Sequence, residues 1–259
     1  MKGHLSPGEI KVDLDSFLEK IAEATAPEGV LHGLSGSSKA LALVEIHRRV
    51  KRPFLVVLPT QPEAEVFARD LIFFLAPETV TIFPEREVPP YQPRSPEIEI
   101  SGERYLCWKK LAFKEARIVV SSAPALLERL PPPEVVSSAF ITLYPKRIIH
   151  REDLIRALLE GGYRHVSQVV ERGEYSLRGG ILDFFPPTSG HPVRIEFFGD
   201  EISSMREFEV DSQRSLGAIE KVTLFPVSEV LLTEARCRQA LEKLDRMVLE
   251  TGCPISPPI

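Results

Sequence analysis

Apolar residues change their spacing along the chain, and the changes predict where helices and strands lie. Phe54–Leu58 is a continuous apolar run, typical of a strand buried on both faces of a parallel sheet. Gln61–Ala76 repeats apolar residues every three or four positions, which predicts an amphipathic helix. Val80–Phe83 and Arg117–Ser121 again have strand character, with a helix predicted over Pro96–Lys114 between them. Alternating strands and helices predict an open parallel sheet with helices on both faces.

The pattern shifts after the proline run at Pro131–Pro133. A helix is predicted at Arg151–Glu160, where Gly161-Gly162 supplies a C-terminal cap. Strands dominate residues 163–226. The predicted strands are Val166–Arg172, Ile181–Phe185, Val193–Phe198, Glu201–Phe208 and Ala218–Phe225. A last amphipathic helix is predicted over Thr233–Glu250.

These patterns predict two domains of different class. Residues 1–135 are expected to form an α/β domain with an open parallel sheet, and residues 136–227 a smaller α+β domain. Residues 228–259 would contribute a C-terminal helix and tail.

The stretch Gly173–Asp200 is the most distinctive part of the predicted α+β domain. Side chains alternate along a strand, so Ile195 and Phe197 lie on one face of the second strand while Arg194 and Glu196 lie on the other. Gly199-Asp200 is a tight turn into the following strand. We therefore expect a sheet with one apolar face and one charged face.

A glycine-serine segment near the start of the chain has the layout of a phosphate-binding loop. The run from Val30 predicts a short strand, and Gly33 and Lys39 match the first and penultimate positions of the signature G-x-x-x-x-G-K-[ST]. Ser38 stands where the signature has glycine, and Ala40 stands where a hydroxyl would hold magnesium. The loop, which also contains Gly36, is therefore predicted to be degenerate and unable to hydrolyse a nucleotide.

Composition narrows the functional classes. With 32 basic and 37 acidic residues the net charge is −5, so the chain has no overall electrostatic attraction to nucleic acid. Three widely spaced cysteines form neither a disulfide framework nor a metal-binding motif, and this predicts a reducing cytoplasm. The six histidines include no zinc-binding pair, no apolar run is long enough to span a membrane, and no cofactor is expected.

One long segment resembles a known family. Gly173-Glu-Tyr-Ser-Leu-Arg-Gly-Gly-Ile-Leu-Asp-Phe-Phe-Pro186 resembles a segment of the bacterial transcription-repair coupling factors, and more loosely one of the excision-repair protein UvrB. Gly162–His165, Arg194–Phe198 and Phe208–Arg214 extend the resemblance. It implies a first domain with a degenerate P-loop, RecA-like fold and no working ATP site. It also implies a second domain of the kind with which UvrB contacts UvrA.

The resemblance further implies a function and a set of contact residues. The chain is expected to be a non-catalytic adaptor that binds the damage-recognition ATPase UvrA and brings nucleotide excision repair to a stalled RNA polymerase. The family implies that RNA polymerase and DNA are bound by other domains of an ATP-dependent translocase, so the chain is expected to be a fragment of a longer protein. The implied UvrA contacts are Arg164, Arg178, Phe185, Arg194 and Glu196.

Some choices stay open at this point. Phe184 and Phe185 are adjacent in a strand and are expected to point in opposite directions, so that only one enters the core. Ser176 stands where UvrB has an arginine, which removes one expected contact. The alternative functions are a P-loop ATPase or helicase fragment acting through Lys39, and a DNA-binding module, against which the acidic composition argues.

Overall fold

The computed structural model describes residues 30–50, 52–86, 97–128, 130–231 and 233–252. The chain divides into two compact units, one of residues 1–82 with 114–124 and one of residues 83–113 with 125–259. Helices and sheets occur together in the protein, which confirms the mixed α/β class.

The first unit contains a three-stranded sheet with helices packed against it. Its strands are β1 (Phe54–Leu58), β2 (Val80–Phe83) and β3 (Ile118–Ser122), arranged in the order β1-β3-β2. β1 and β3 are parallel, as predicted for β-α-β connections. The described helices of this unit include Ser38–Arg49 and Gln61–Phe74, the second of which is followed by a 3-10 turn at Pro77–Thr79.

Small side chains let the two helices pack closely on this sheet. Ala40, Ala64 and Ala68 are fully buried and surround Leu71 and Ile118 in one apolar cluster. Thr60 caps the second helix, because its hydroxyl accepts a hydrogen bond from the Glu63 amide.

The prediction that β1 is buried on both faces was wrong. Phe54, Val56 and Leu58 pack toward the helices, but Leu55 and Val57 are exposed. The physical reason is that the two described helices cover the same face of the sheet. The predicted strand at Val30 is also wrong, since residues 30–34 have no strand conformation.

The second unit is built on a six-stranded sheet. Its strands run in the order β10-β9-β8-β7-β6-β5, antiparallel except for the parallel pair β5 and β6, and β4 pairs separately with β11. The strands are β4 (Ile141–Leu143), β5 (Arg164–His165), β6 (Glu174–Arg178), β7 (Ile181–Phe184), β8 (Val193–Phe198), β9 (Glu201–Phe208), β10 (Ser215–Ala218) and β11 (Val222–Leu224). Its described helices are Ile98–Ala112, Pro133–Ser138, Arg151–Glu160 and Glu234–Thr251. The short helix Ala123–Leu127 is divided between the two units, which separate after Pro124.

Strand register separates an apolar face from a charged face, as the alternating pattern predicted. Leu182, Ile195 and Met205 are opposite one another on neighbouring strands and are buried. Leu154 and Leu158 of the helix Arg151–Glu160 join the same core. The tight turn between β8 and β9 uses Gly199 at a φ of 61°, a conformation that glycine adopts without steric cost.

Two strand predictions in this unit need correction. Val166–Arg172 is a loop and not a strand, because the Glu174 carboxylate accepts hydrogen bonds from the Val170 and Glu171 amides, each at 2.8 Å. These amides are therefore unavailable to a sheet ladder. The predicted strand over Ala218–Phe225 contains only the last residue of β10 and the three residues of β11, and these two strands belong to different sheets.

The predicted first domain, residues 1–135, includes the helix predicted over Pro96–Lys114, whereas the contacts of the observed helix Ile98–Ala112 group it with the second unit. Tyr105 is fully buried and meets Phe140 edge-on at 6.1 Å, and Phe140 in turn meets Phe225 at 5.6 Å. The Tyr105 hydroxyl donates a hydrogen bond to the Ser228 carbonyl. Aromatic packing of this kind is not visible in the local sequence pattern.

Candidate partner-binding face

The outer side of strands β6–β9 carries a layer of charged side chains, which we call the charged face. Its members are Arg178, Asp183, Arg194, Glu196 and Arg206. Register fixes their neighbours: Asp183 is opposite Arg194, and Arg194 is opposite Arg206. Residues from three separate strands thus meet in one row.

Asp183 and Arg194 form the rigid centre of the charged face. The Asp183 side chain is 2% exposed, and both its oxygens accept hydrogen bonds from Arg194, at 2.7 Å from Nε and 2.8 Å from Nη2. The Arg194 guanidinium also lies over the Phe208 ring, 4.5 Å from its centroid. The hydrogen bonds to Asp183 raise the pKa of Arg194. A bidentate pair held over an aromatic ring is a pre-organised structure.

Arg178 is the accessible cation of this face. It lies at the end of β6 with 55% of its side chain exposed, and its Nη2 is 3.8 Å from Asp183 Oδ2. That distance is too long for a hydrogen bond. Its guanidinium therefore keeps donors for a partner, whereas the donors of Arg194 are directed inward.

Glu196 belongs to a separate local network. It pairs with Arg206 and accepts a hydrogen bond from the Ser204 hydroxyl at 2.9 Å. Glu196 and Arg206 remain about one-third exposed, at 37% and 33%. An exposed pair of this kind adds little stability by itself but offers a carboxylate and a guanidinium at fixed positions.

Arg164 lies at the edge of the sheet, in β5. Its side chain is 67% exposed, and its Nη2 contacts Glu174 Oε1 at 2.6 Å and Glu171 Oε2 at 3.3 Å. Burial alone would raise the pKa of Glu174. Hydrogen bonds from the Glu171 and Val170 amides and from Arg164 outweigh that effect, so the pKa is lower than usual.

The lowered pKa of Glu174 predicts a pH dependence. The pKa of Glu174 in the folded state lies below the ordinary value of 4.5. The ionised carboxylate therefore contributes fully to folding stability above pH 4.5, and this contribution is lost as the pH falls through the folded-state pKa. We expect the difference in unfolding free energy between the wild type and Glu174→Gln to shrink as the pH falls from about 6 to about 3. Denaturant unfolding at several pH values measures it, and a constant difference would contradict the assignment.

The structure corrects the expectation for Phe185. Phe184 and Phe185 are both buried, at 1% and 6% exposure, so the prediction that only one could be core was wrong. Phe184 joins the main core, while Phe185 packs with Val169 and Phe208 in a second cluster on the other side. The loop 166–173 makes this possible, because it covers part of the outer face. Phe185 is therefore not an exposed aromatic anchor.

The loop 166–173 also buries Ser176. This residue is 2% exposed, and its hydroxyl donates a hydrogen bond to the Ser167 carbonyl at 3.0 Å. Ser176 thus binds the loop through this hydrogen bond and presents no group to a partner.

Sequence reasoning missed two members of the charged face. Asp183 and Arg206 alternate with apolar neighbours like any outward-facing residues, so only the strand register reveals that they flank Arg194. Phe198, next to the β8–β9 turn, was also missed as an exposed aromatic and is 82% exposed.

The glycine-serine loop of the first unit closes on itself. The Ser38 and Lys39 amides donate to the carbonyls of Ser35 and Gly36, and the Ser35 amide donates to the Ser38 hydroxyl at 2.8 Å. Gly33 and Gly36 both have positive φ, Lys39 is exposed, and Ala40 is fully buried. Three amides are therefore engaged within the loop itself.

Comparison with known proteins supports the resemblance seen in the motifs. Residues 141–230 match the family model of the UvrB interaction domain, a range that contains strands β4–β11. The chain is 31% identical over 90% of its length to the transcription-repair-coupling factor of Bacillus subtilis, of which the match covers 20%.

The chain is a relative of the transcription-repair-coupling factors. It is 32% identical to the Escherichia coli protein of that name over 77% of its length, covering 17% of that relative. It is 36% identical to the Mycobacterium tuberculosis protein over 73% of its length, covering 16% of that relative. The chain spans about a fifth of the length of these curated relatives.

The ranges that the structure describes hold no group of three histidine, cysteine or acidic side chains placed to bind a metal ion. Nor do they hold a helix with the length and apolar content needed to cross a membrane.

Proposed function

We propose that the second unit is a docking module for UvrA and that the charged face makes the contact. The observation that carries this proposal is the match of residues 141–230 to the UvrB interaction domain, because these residues form the sheet that holds the charged face. The module acts as a non-catalytic adaptor. It brings nucleotide excision repair to RNA polymerase stalled on damaged DNA in the cytoplasm, with polymerase and DNA bound elsewhere in a longer protein.

The five proposed contact residues take different roles in this proposal. Arg178 and Glu196 of the charged face contact UvrA directly, and so does Arg164 at the edge of the sheet, since each has a solvent-accessible charged end. Arg194 positions the face by neutralising buried Asp183. Phe185 is buried and supports the charged face by packing, with the Arg172 guanidinium 5.1 Å from the centroid of its ring. Arginine suits such a surface because its planar group forms paired hydrogen bonds with carboxylates.

Charge reversal at Arg178 tests the proposal. We expect Arg178→Glu to weaken UvrA binding by at least about 30-fold, because it replaces the accessible hydrogen-bond donor of the charged face by a carboxylate, which would repel an acidic group of UvrA. Biosensor titration of the full chain against purified UvrA measures the effect. Unfolding temperature should be unchanged, since Arg178 makes only the long 3.8 Å contact to Asp183.

Arg156→Glu is the matched control. Arg156 is 64% exposed, lies on a helix of the same unit, and forms a comparable surface ion pair with Asp153. It lies outside the charged face, so its reversal should leave UvrA affinity within about twofold. If both variants weaken UvrA binding equally, the effect comes from the change in net charge and not from the charged face. If Arg178→Glu binds UvrA as tightly as the wild type, the proposed face is refuted.

We also propose a degenerate RecA-like domain over residues 1–135, which contains the first unit and also residues 83–113 of the second. The UvrA-interaction domain follows over 136–227, and residues 228–259 begin a segment that returns to the first domain. Two observations support the loss of the nucleotide site. The amides of the glycine-serine loop donate hydrogen bonds within the loop, and the side chain of Ala40 is buried and has no oxygen to bind magnesium. Titration with magnesium-ATP tests it. Saturable micromolar binding that Lys39→Ala removes would favour the ATPase alternative instead.

A further inference from the structure

A basic pocket of about 400 Å³ lies in the first unit, away from the glycine-serine loop. It is lined by His47, Arg48, Arg52, Leu75, Thr79 and Arg117. These residues come from the end of the helix Ser38–Arg49, the segments before β1, β2 and β3, and the end of the helix Gln61–Phe74. Lys39 lies in the first turn of the helix Ser38–Arg49, eight residues before His47, which is about 12 Å along the helix axis.

The pocket gathers positive charge with little local neutralisation. Arg48 pairs with Glu45 at 2.5 Å, but Arg52 and Arg117 have no ion pair with any residue of the described ranges. Glu78 precedes Thr79 and Glu115 lies two residues before Arg117, yet neither forms an ion pair with a described guanidinium of the pocket. Like charges at one site cost free energy unless an anion offsets them.

His47 supplies a second, independent observation. Its Nδ1 is buried and has no hydrogen-bond partner in the described part of the chain. Buried polar atoms are normally paired, so the ring of His47, which lines the pocket, lacks a hydrogen bond that would fix its orientation. Burial, and then the charge of Arg117, lower the pKa of His47, and a bound anion would offset the repulsion from Arg117.

We propose that this pocket binds a phosphate-type dianion, either free phosphate or the phosphate group of an ester. The described lining residues offer guanidinium and imidazole nitrogens and one hydroxyl, and none of these described residues carries a carboxylate. Three guanidiniums match a doubly charged tetrahedral oxyanion better than a singly charged carboxylate. The site is separate from the degenerate loop and does not depend on the proposed UvrA contact.

Calorimetric titration of the full chain with inorganic phosphate, at constant ionic strength, tests the site. We expect saturable binding at one site, weakened about tenfold or more by Arg52→Gln and by Arg117→Gln, since each removes a charge-assisted contact. Both side chains are exposed, so the variants should fold. Arg69→Gln, an exposed arginine of the same unit outside the pocket, and Lys39→Ala should bind phosphate like the wild type.

Several results would overturn the proposal. They are absence of saturable binding, wild-type affinity in both pocket variants, equal affinity for acetate, or loss of binding in Lys39→Ala. Adenosine monophosphate distinguishes the two sources of the ligand. Tighter binding of the nucleotide than of phosphate would support an ester, and equal binding would support free phosphate. Failure of this test would leave the UvrA proposal unaffected, because the pocket lies in the other unit.

Discussion

Replacing Arg104 by methionine is expected to lower the free energy of unfolding by about 3–5 kcal/mol, the usual cost of breaking a buried ion pair. Arg104 is fully buried between two carboxylates, with Nη2 3.0 Å from Glu128 and Nε 2.6 Å from Glu229. Arg86 also pairs with Glu229. We call these four residues the Arg104 cluster.

Attraction between opposite charges stabilises the Arg104 cluster more than hydrogen bonds of good geometry do. Nε and Nη2 of Arg104 lie close to the carboxylates without hydrogen-bond geometry, while Nη1 donates to the Pro84 carbonyl at 2.6 Å. The guanidinium also lies 4.2 Å from the centroid of the Phe83 ring. Burial lowers the pKa of Arg104, and the two glutamates oppose that effect. Methionine would fill similar space but leave two carboxylates with one cation.

Denaturant unfolding followed by circular dichroism measures the loss. Arg238→Met is the control: Arg238 pairs with Glu234 at 2.9 Å, but both side chains are largely exposed. Its loss should be about 0.5 kcal/mol or less. If the two variants lose equal stability, the Arg104 cluster does not hold the second unit together.

Gly102→Ala is expected to destabilise the protein by about 1–2 kcal/mol, although the same change inside most helices stabilises by up to about 1 kcal/mol. Gly102 lies inside the helix Ile98–Ala112 and is buried. A methyl group there would lie 2.6 Å from Cβ and 2.9 Å from Cγ of Pro187. The proline ring is stiff, so the backbone of the helix or of the loop after β7 must move.

Gly190→Ala is the matched control, because a methyl group at Gly190 would meet no atom within 4 Å and the backbone there does not have positive φ. Its effect should stay within about 0.5 kcal/mol. Thermal or denaturant unfolding of both variants reports the difference. A stabilised Gly102→Ala variant would mean that the helix and the Pro187 loop are less tightly packed than the structure has them.

The sequence by itself determined the elements whose stability is local. Helix Arg151–Glu160 and strands β1, β2 and β9 have the predicted bounds, because apolar period, glycine turns and proline positions act within a few residues. The motif around Gly173–Pro186 also indicated the family, which the comparisons bear out. The opposing faces of β8 followed from alternation alone.

Only the tertiary structure decided which charged side chains are free to meet a partner. Arg178 and Arg194 look equivalent in the sequence, yet one is 55% exposed and the other is closed on Asp183 at 18% exposure. That difference depends on register between β7 and β8. The burial of both Phe184 and Phe185 depends on a loop that crosses the outer face. Contacts between residues far apart in sequence fix both outcomes, and no local pattern encodes them.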